Sequence, residues 1–462
     1  MVKAGFRQTM AWLHGWTGLV VGWLLFAIFL TGTISYYRFE ISDWMLRPPV
    51  TAEIVDPATA AARVLDWLAV EAAGAPQWVV TLPGDREAWM RASWRKPAER
   101  RAQSVLIDPA TGNRLVATDS RGGDFFYRFH FELWMQPIWG RWIVGAAAMI
   151  MLVAIISGVI THKKIFRDFF TFRPAKAARS WLDAHNALAV LALPYHVMIT
   201  YTGLLTLMFL YLPAGSAGYR FDTNKMFADM SDIPTRPAAT EAAALAPIGP
   251  MLAAVPWPVR RIDVQRPGRA DSTVILYAAQ TGMLSVNPGN AIFDATTGAL
   301  LRAPLPSSVA GAIWGVSYGL HLGRFADGVM RFLFFVVGLA GSAMVATGLL
   351  LWTAKRAPGR GRWLAHRLNI AAIVGLPLAV GAFFWANRLL PADLTDRANW
   401  EIRLFFAAWA LTLLIPRWRP ALWLTAAAFA GLVVVDGMPG AFNLGLGLVA
   451  LCFAGAAWKV RQ

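Results

Sequence analysis

Residues 181–212 read WLDAHNALAVLALPYHVMITYTGLLTLMFLYL, one long apolar helical pattern that carries two histidines, His185 and His196. On a straight α-helix, eleven residues at about 100° each return the second imidazole to within roughly 20° of the first, about 16 Å further along the axis. Both rings are therefore expected on one face at two depths. Ionisable groups inside a membrane span are costly and rare, so a vertical pair points to a track for electrons, protons or metal. A ladder of haems is the sharper expectation. The plainer one is a histidine at the membrane edge and a second bonded to a neighbouring helix.

The rest of the chain puts this helix in a bilayer. Of 462 residues 57% are hydrophobic, 22 of them Trp, and the mean hydropathy is +0.46, far too apolar for an ordinary soluble protein. The net charge of +16 falls in short loops, as when Lys and Arg are retained on the cytoplasmic side, so no nucleic-acid partner is expected. The single cysteine, Cys452, excludes intrachain disulfides, thiolate-bound clusters and CxxCH haem attachment. Histidine is left as the ligand type. Lys3 and Arg7 precede an apolar run, Trp16–Tyr37, that is longer than a signal-peptide core and lacks a small-residue cleavage site, so it is expected to stay as an anchor.

Apolar runs near the required length of about 20 residues lie at 14–37, 141–162, 186–212, 330–353, 367–387, 402–416, 420–436 and 440–458. The sixth and seventh are short and close, fitting two tight spans or one span with a re-entrant piece. The fold class expected is a polytopic α-helical membrane protein of about eight transmembrane helices, both termini cytoplasmic, with two small α+β periplasmic domains. In residues, 1–37 form span 1, 38–140 the first periplasmic domain, 141–162 span 2 and 163–185 a basic cytoplasmic loop. Span 3 is 186–212, the second periplasmic domain 213–329 and span 4 330–353, and 354–462 add about four spans. Basic residues occupy every inside loop of this topology, including Arg173, Arg356, Arg367, Arg417 and Arg419. The outside segments carry short alternating runs at 78–82, 104–107, 273–277 and 291–293 between turn residues.

The chain also repeats itself. His14 with Thr31-Gly32 matches His185 with Thr202-Gly203, and Asp108-Pro-Ala-Thr-Gly112 matches Asp294-Ala-Thr-Thr-Gly298. Phe129-His130-Phe131 corresponds to Leu320-His321-Leu322, and Ser157-Gly158 to Thr347-Gly348. Residues 1–180 and 181–360 thus read as two parallel copies of span, outside domain, span.

All seven histidines sit at a span or just before one. His14, His162, His185 and His366 mark the inner edge, His130 and His321 the outer edge, and His196 a level between. Electron transfer across a bilayer calls for this layout, one bis-histidine haem near each surface. The repeat makes His14 with His185 an inner pair and His130 with His321 an outer pair. His162 competes for the inner role, and His196 for the outer haem opposite His130 or His321; the pairing stays open. The bland readings are interfacial residues for His14, His185 and His366, a basic anchor for His162, and a bond to backbone freed by Pro194 for His196. No HxxxH, HExxH or CxxC supports zinc, and no GxGxxG or P-loop supports a nucleotide domain. Any reductant must come from a membrane quinol or another protein.

The runs Trp12-Leu-His14-Gly-Trp-Thr-Gly, Ser157-Gly-Val-Ile-Thr-His162-Lys-Lys, Trp181-Leu-Asp-Ala-His185-Asn with Pro194-Tyr-His196, and Gly319-Leu-His321 resemble the PepSY-associated transmembrane family over about residues 1–356. The resemblance implies four core spans, PepSY-like outside domains, b-type haem and reduction of ferric siderophores at the bacterial inner membrane. It places His14, His130, His162, His185, His196 and His321 on the family's histidine-bearing motifs, as axial ligands of haem iron. The function expected is that of an enzyme, a haem b oxidoreductase with two haems. It takes electrons from a membrane quinol or cytoplasmic reductase and reduces a ferric siderophore or other ferric chelate. The rival, from a different class, is a non-enzymatic membrane protein whose PepSY domains bind peptides or regulate an extracytoplasmic protease.

Overall fold

The computed structural model describes residues 5–50, 53, 55–96, 102–162, 173, 178–211, 237–280, 282–286, 289–303, 309–437 and 440–460. The basic loop expected at 163–185 lies largely outside the described residues. The chain divides into a helical unit (Met1–Leu46, Asp119–Leu207, Asp327–Gln462) and a sheet unit (Arg47–Thr118, Met208–Ala326).

The helical unit is built on α1 (Phe6–Ser35), with α2 (Arg38–Leu46), α4 (Asp124–Glu132) and α5 (Pro137–Thr161) from the first half of the chain. Helix is the dictated choice for these sequences, because backbone polar groups in hydrocarbon must be satisfied within their own segment. α5 begins with proline, whose missing N–H costs nothing there. α10 (Gly328–Ala354) is capped by Asp327, which accepts from the Met330 amide at 2.8 Å. Antiparallel packing sets α10 against α1, with Leu349 over Gly22 and Thr33 over Gly338.

The quoted stretch is not one helix. It forms α6 (Ala178–Leu191) and α7 (Leu193–Thr206), bent by 68° at their junction. Pro194 lies in the first turn of α7, where a ring lacking an N–H is tolerated, whereas a straight helix would set that ring against the carbonyl four residues earlier. The expectation of two imidazoles on one face of a straight helix therefore fails. His185 and His196 stand on separate helices.

Among the described residues six helices are long and apolar enough to cross a membrane, or seven if α6 and α7 count as one broken span. The count falls short of the eight expected at the 402–416 run. That run forms the end of α13 (Arg397–Leu411, 15 residues) and a short 3-10 turn at Thr412–Leu414, and Pro416 stops it short of the length a span requires. The other C-terminal helices are α11 (Arg360–Ile370), α12 (Leu376–Leu389), α14 (Trp418–Asp436) and α15 (Ala441–Lys459), with a π-helical turn, Ala371–Gly375, joining α11 to α12.

Both α2 and α4, read from the sequence as outside domain, belong to the helical unit. α4 fastens the C-terminal helices to the rest: Phe125 stacks on Phe383 at 4.8 Å and meets Phe405 edge-on at 4.9 Å, and all three rings are fully buried. Beside them lies an ion pair that is also fully buried. Arg397 donates to Glu401 at 2.6 Å, to the Asn387 carbonyl at 2.6 Å and to the Asp119 carbonyl at 3.0 Å. Glu401 accepts further from Asn387 at 2.8 Å and Ser120 at 2.6 Å. Deeper in, Asn369 accepts from the Trp23 indole at 2.8 Å and donates to the Leu349 carbonyl at 3.3 Å, tying α11 to α1 and α10.

In the sheet unit the two outside segments do not fold as two separate domains. Their strands make one antiparallel sheet in the order β3-β2-β1-β4-β5-β6-β7. The first segment gives α3 (Pro57–Glu71), β1 (Gln77–Thr81), β2 (Met90–Trp94) and β3 (Gln103–Ile107). The second gives α8 (Ile248–Ala253), β4 (Val259–Gln265), β5 (Thr273–Ala278), β6 (Asn290–Asp294), β7 (Leu300–Arg302) and α9 (Val309–Leu322). They join where β1 meets β4, with Trp78 opposite Val264 and Val80 opposite Ile262. This pairing buries two edges that separate domains would leave open. The two matched turns fold alike. Gly112 and Gly298, at φ of 73° and 74°, donate to the carbonyls of Asp108 and Asp294 at 2.8 and 2.9 Å.

Removing one member of the buried ion pair strands the other charge. Arg397→Ala is expected to cost about 3–5 kcal/mol, seen as a lower midpoint in thermal unfolding of the detergent-solubilised protein. Arg403→Ala, which removes a cation 56% exposed, is expected to change stability by less than about 0.5 kcal/mol.

Candidate functional site

α1 and α6 each present a histidine inside the helical unit, and the two imidazoles face each other. The ring centres of His14 and His185 are 6.2 Å apart, with planes inclined at 68°. Each ring is held the same way. His14 Nδ1 donates to the Ala154 carbonyl on α5 at 2.9 Å, and His185 Nδ1 donates to the Met344 carbonyl on α10 at 2.8 Å. A carbonyl only accepts, so the proton sits on Nδ1 and the lone pair on Nε2.

The receiving carbonyls lie exposed to the rings for a reason visible in the sequence. Four residues after each carbonyl comes a glycine, Gly158 and Gly348, and a Cβ at either position would stand 3.2 Å from the imidazole Cε1. Glycine lets the ring lie against the helix wall. Ser157-Gly158 and Thr347-Gly348 were legible as matched positions in the repeat, but not as the surface beneath two histidines.

His130, on α4, is set by the same device. Its Nδ1 donates to the Ile28 carbonyl of α1 at 2.8 Å, and the ring rests on Gly32, again four residues beyond the carbonyl. His321 lies in the last turn of α9, in the sheet unit. His196 is 1% exposed and packs against Phe29 at 6.0 Å and Gly341; its Nε2 has no hydrogen-bond partner among the described residues. Its neighbour Tyr195 shares a hydrogen bond of 2.9 Å with Tyr36, and both rings lean on Phe334. The bland reading of His196, a bond to backbone freed by Pro194, does not describe it.

His162 ends α5, where its Nε2 accepts from the Asn186 amide at 3.0 Å. Its buried Nδ1 has no hydrogen-bond partner among the described residues, and His14 is the ring that faces His185. His366 lies on α11 against Trp418, at 5.9 Å. Trp23 bonds Asn369 within the bundle.

Two imidazoles facing one space can be compared with the dimensions of a two-nitrogen metal site. Two metal–nitrogen bonds of about 2 Å, with about 1.1 Å more from each nitrogen to its ring centre, span about 6 Å. The 6.2 Å between the His14 and His185 ring centres is close to that span. Ligating histidines characteristically donate their other ring N–H to a carbonyl, which fixes tautomer and orientation. A bis-histidine haem asks for two imidazole donors.

The cradle under His130 is tight enough to test. A Cβ on Gly32 would meet His130 Cε1 and Nδ1 at 2.7 Å. Gly32→Ala is therefore expected to push the ring off Ile28 and cost about 1–3 kcal/mol in thermal unfolding. Gly455→Ala, on a helix where the new methyl meets nothing within 4 Å, is expected to be neutral or to gain up to about 1 kcal/mol.

The comparisons with known proteins agree with the histidine-bearing part of this architecture. An uncharacterized protein of Pseudomonas aeruginosa is 24% identical over 318 residues, covering 63% of this chain and 79% of that relative. The sequence model of the PepSY-associated TM region matches residues 11–355, which include both members of the facing pair and every histidine but His366. The chain belongs to the PepSY-associated transmembrane family.

Proposed function

We propose that this protein is an inner-membrane haem b oxidoreductase that carries electrons across the bilayer to ferric chelates, siderophore-bound iron among them. The observation that carries the reading is the facing pair His14 and His185, each locked through Nδ1 to a carbonyl and separated by 6.2 Å. The buried, unpartnered Nε2 of His196 and the cradled ring of His130 supply donors for a second haem nearer the outer surface. When bound, haem supplies reversible one-electron chemistry at a potential set by its axial ligands and their surroundings.

The chain's own residues then have definite tasks. Ala154 and Met344 hold two imidazoles in the neutral tautomer, and their hydrogen bonds raise the basicity of the ligating nitrogens. The apolar packing of α1, α5, α6 and α10 keeps water from the pair. Tyr36, Tyr195 and Phe334 close one side of His196. No nucleotide-binding segment is evident, so the donor is a membrane quinol or a cytoplasmic reductase. The two-level arrangement and the parallel internal repeat, spanning residues 1–180 and 181–360, belong to this proposal, as do cytoplasmic termini.

The test is optical. Protein purified from haem-replete cells is expected to show Soret and α bands and about two haems per chain by pyridine haemochrome. His14→Ala or His185→Ala is expected to remove about one, and dithionite-reduced protein is expected to be reoxidised by a ferric siderophore. Colourless wild-type protein would overturn the reading and favour the peptide-binding alternative.

A further inference from the structure

The C-terminal helices frame a pocket of 480 Å³ that the haem reading leaves unused. His366 of α11, Arg417, Trp418 and Arg419 at the start of α14, and Trp423 one turn on line it, with Val460 closing it from the end of α15. It lies at the end of the helical unit where α1 begins and α15 ends. Prolines at 416 and 420 bracket the Arg-Trp-Arg sequence and restrict its backbone. The Trp418 ring stands edge-on to His366. The pocket thus has a built wall, not a loose loop.

Its charges are unbalanced. Neighbouring Arg367 is committed, stacked on Trp363 and donating to the Leu413 carbonyl. Arg417 and Arg419 have no acidic partner and no hydrogen bond among the described residues, and both are exposed. Arg417 and Arg419 and the free N–H groups opening α14 together put positive potential at this end of the helix. An anion there lowers it.

Apart from His366 the rest of the lining is apolar: Trp418, Trp423, the two prolines and Val460. A free inorganic anion gains nothing from that surface. A molecule carrying a phosphate and hydrocarbon together matches both parts. Basic pockets between transmembrane helices at the membrane edge take lipid headgroups by this combination, and indole rings favour the same depth.

We propose that this pocket is a binding site for an anionic phospholipid. Arg417 and Arg419 hold the phosphate, and Trp418 and Trp423 flank the glycerol and upper acyl chain. The site is independent of haem content, and it gives the C-terminal helices a role of their own.

Native mass spectrometry of the full-length protein, delipidated and then supplied with phosphatidylglycerol or phosphatidylcholine, tests it. Wild type is expected to retain phosphatidylglycerol in strong preference. The double variant Arg417→Gln/Arg419→Gln is expected to bind it about 30-fold more weakly, two cations at about fivefold each, while Arg417→Lys/Arg419→Lys keeps most of the affinity. Inorganic phosphate is expected to leave the bound lipid in place. Equal retention of phosphatidylcholine by wild type, displacement by inorganic phosphate, or unchanged binding in the folded Gln variant would each overturn the proposal. If the double variant does not fold, the single variants Arg417→Gln and Arg419→Gln, each expected to weaken binding about fivefold, decide it, and unchanged binding in both overturns it.

Discussion

An imidazole placed in hydrocarbon has two nitrogens to satisfy, and this fold answers that demand with backbone. A helix carbonyl is ordinarily spent within its own helix, but it has a second lone pair. At Ala154, Met344 and Ile28 that lone pair is given to a histidine Nδ1 of another helix. The gift requires close approach, and the glycine four residues later provides it in all three cases. One constraint therefore fixes several features together: which helices are neighbours, how closely they pack, and that Nδ1 of each ring carries the proton. The facing of His14 and His185 follows from two such locks arranged on opposite sides of one space.

The C-terminal helices are bound to this core by contacts of a different kind. α4 inserts three phenylalanines, Phe125, Phe126 and Phe129, among the aromatic rings of α12 and α13. Asn369 spans to Trp23 and to Leu349, the residue after the glycine beneath His185. Such bonds are dear to break where no water can replace them. The π-helical turn beside Asn369 frees backbone, and Trp409 donates to the Ala371 carbonyl there at 2.9 Å, an arrangement that accommodates extra residues without leaving a polar group alone. The extension is thereby integral to the helical unit and not an appendage to it.

Outside the helical unit, the two halves of the chain meet in a single sheet. Strand pairing along β1 and β4 satisfies a row of amides and carbonyls from each half, and α3 and α8 cover the shared core of Val64, Leu68, Val80, Ile262, Val264 and Phe293. Neither half alone has many residues with which to bury a core, and small domains are marginal for that reason.

Hydropathy by itself established a multi-pass helical protein, because about 20 apolar residues in a row have few other stable fates. The histidines worth watching were legible too, as were four of the seven strands and both aspartate–glycine turns, since these depend on local periodicity and turn chemistry. Strands β2, β4 and β7 were missed: MRASW alternates, with Met90, Ala92 and Trp94 buried, but was not singled out, LLR is only three residues long, and VRRIDVQ breaks the alternation, its Asp263 buried with Arg261 and Gln77 reaching it. The 68° break at Ala192, the short α13, the single sheet and the partners of each imidazole were decided by tertiary structure. Periodicity reports which face of a segment is apolar. It does not report which carbonyl of which other helix will lie within 3 Å of a nitrogen, because that depends on the packing of segments more than a hundred residues apart.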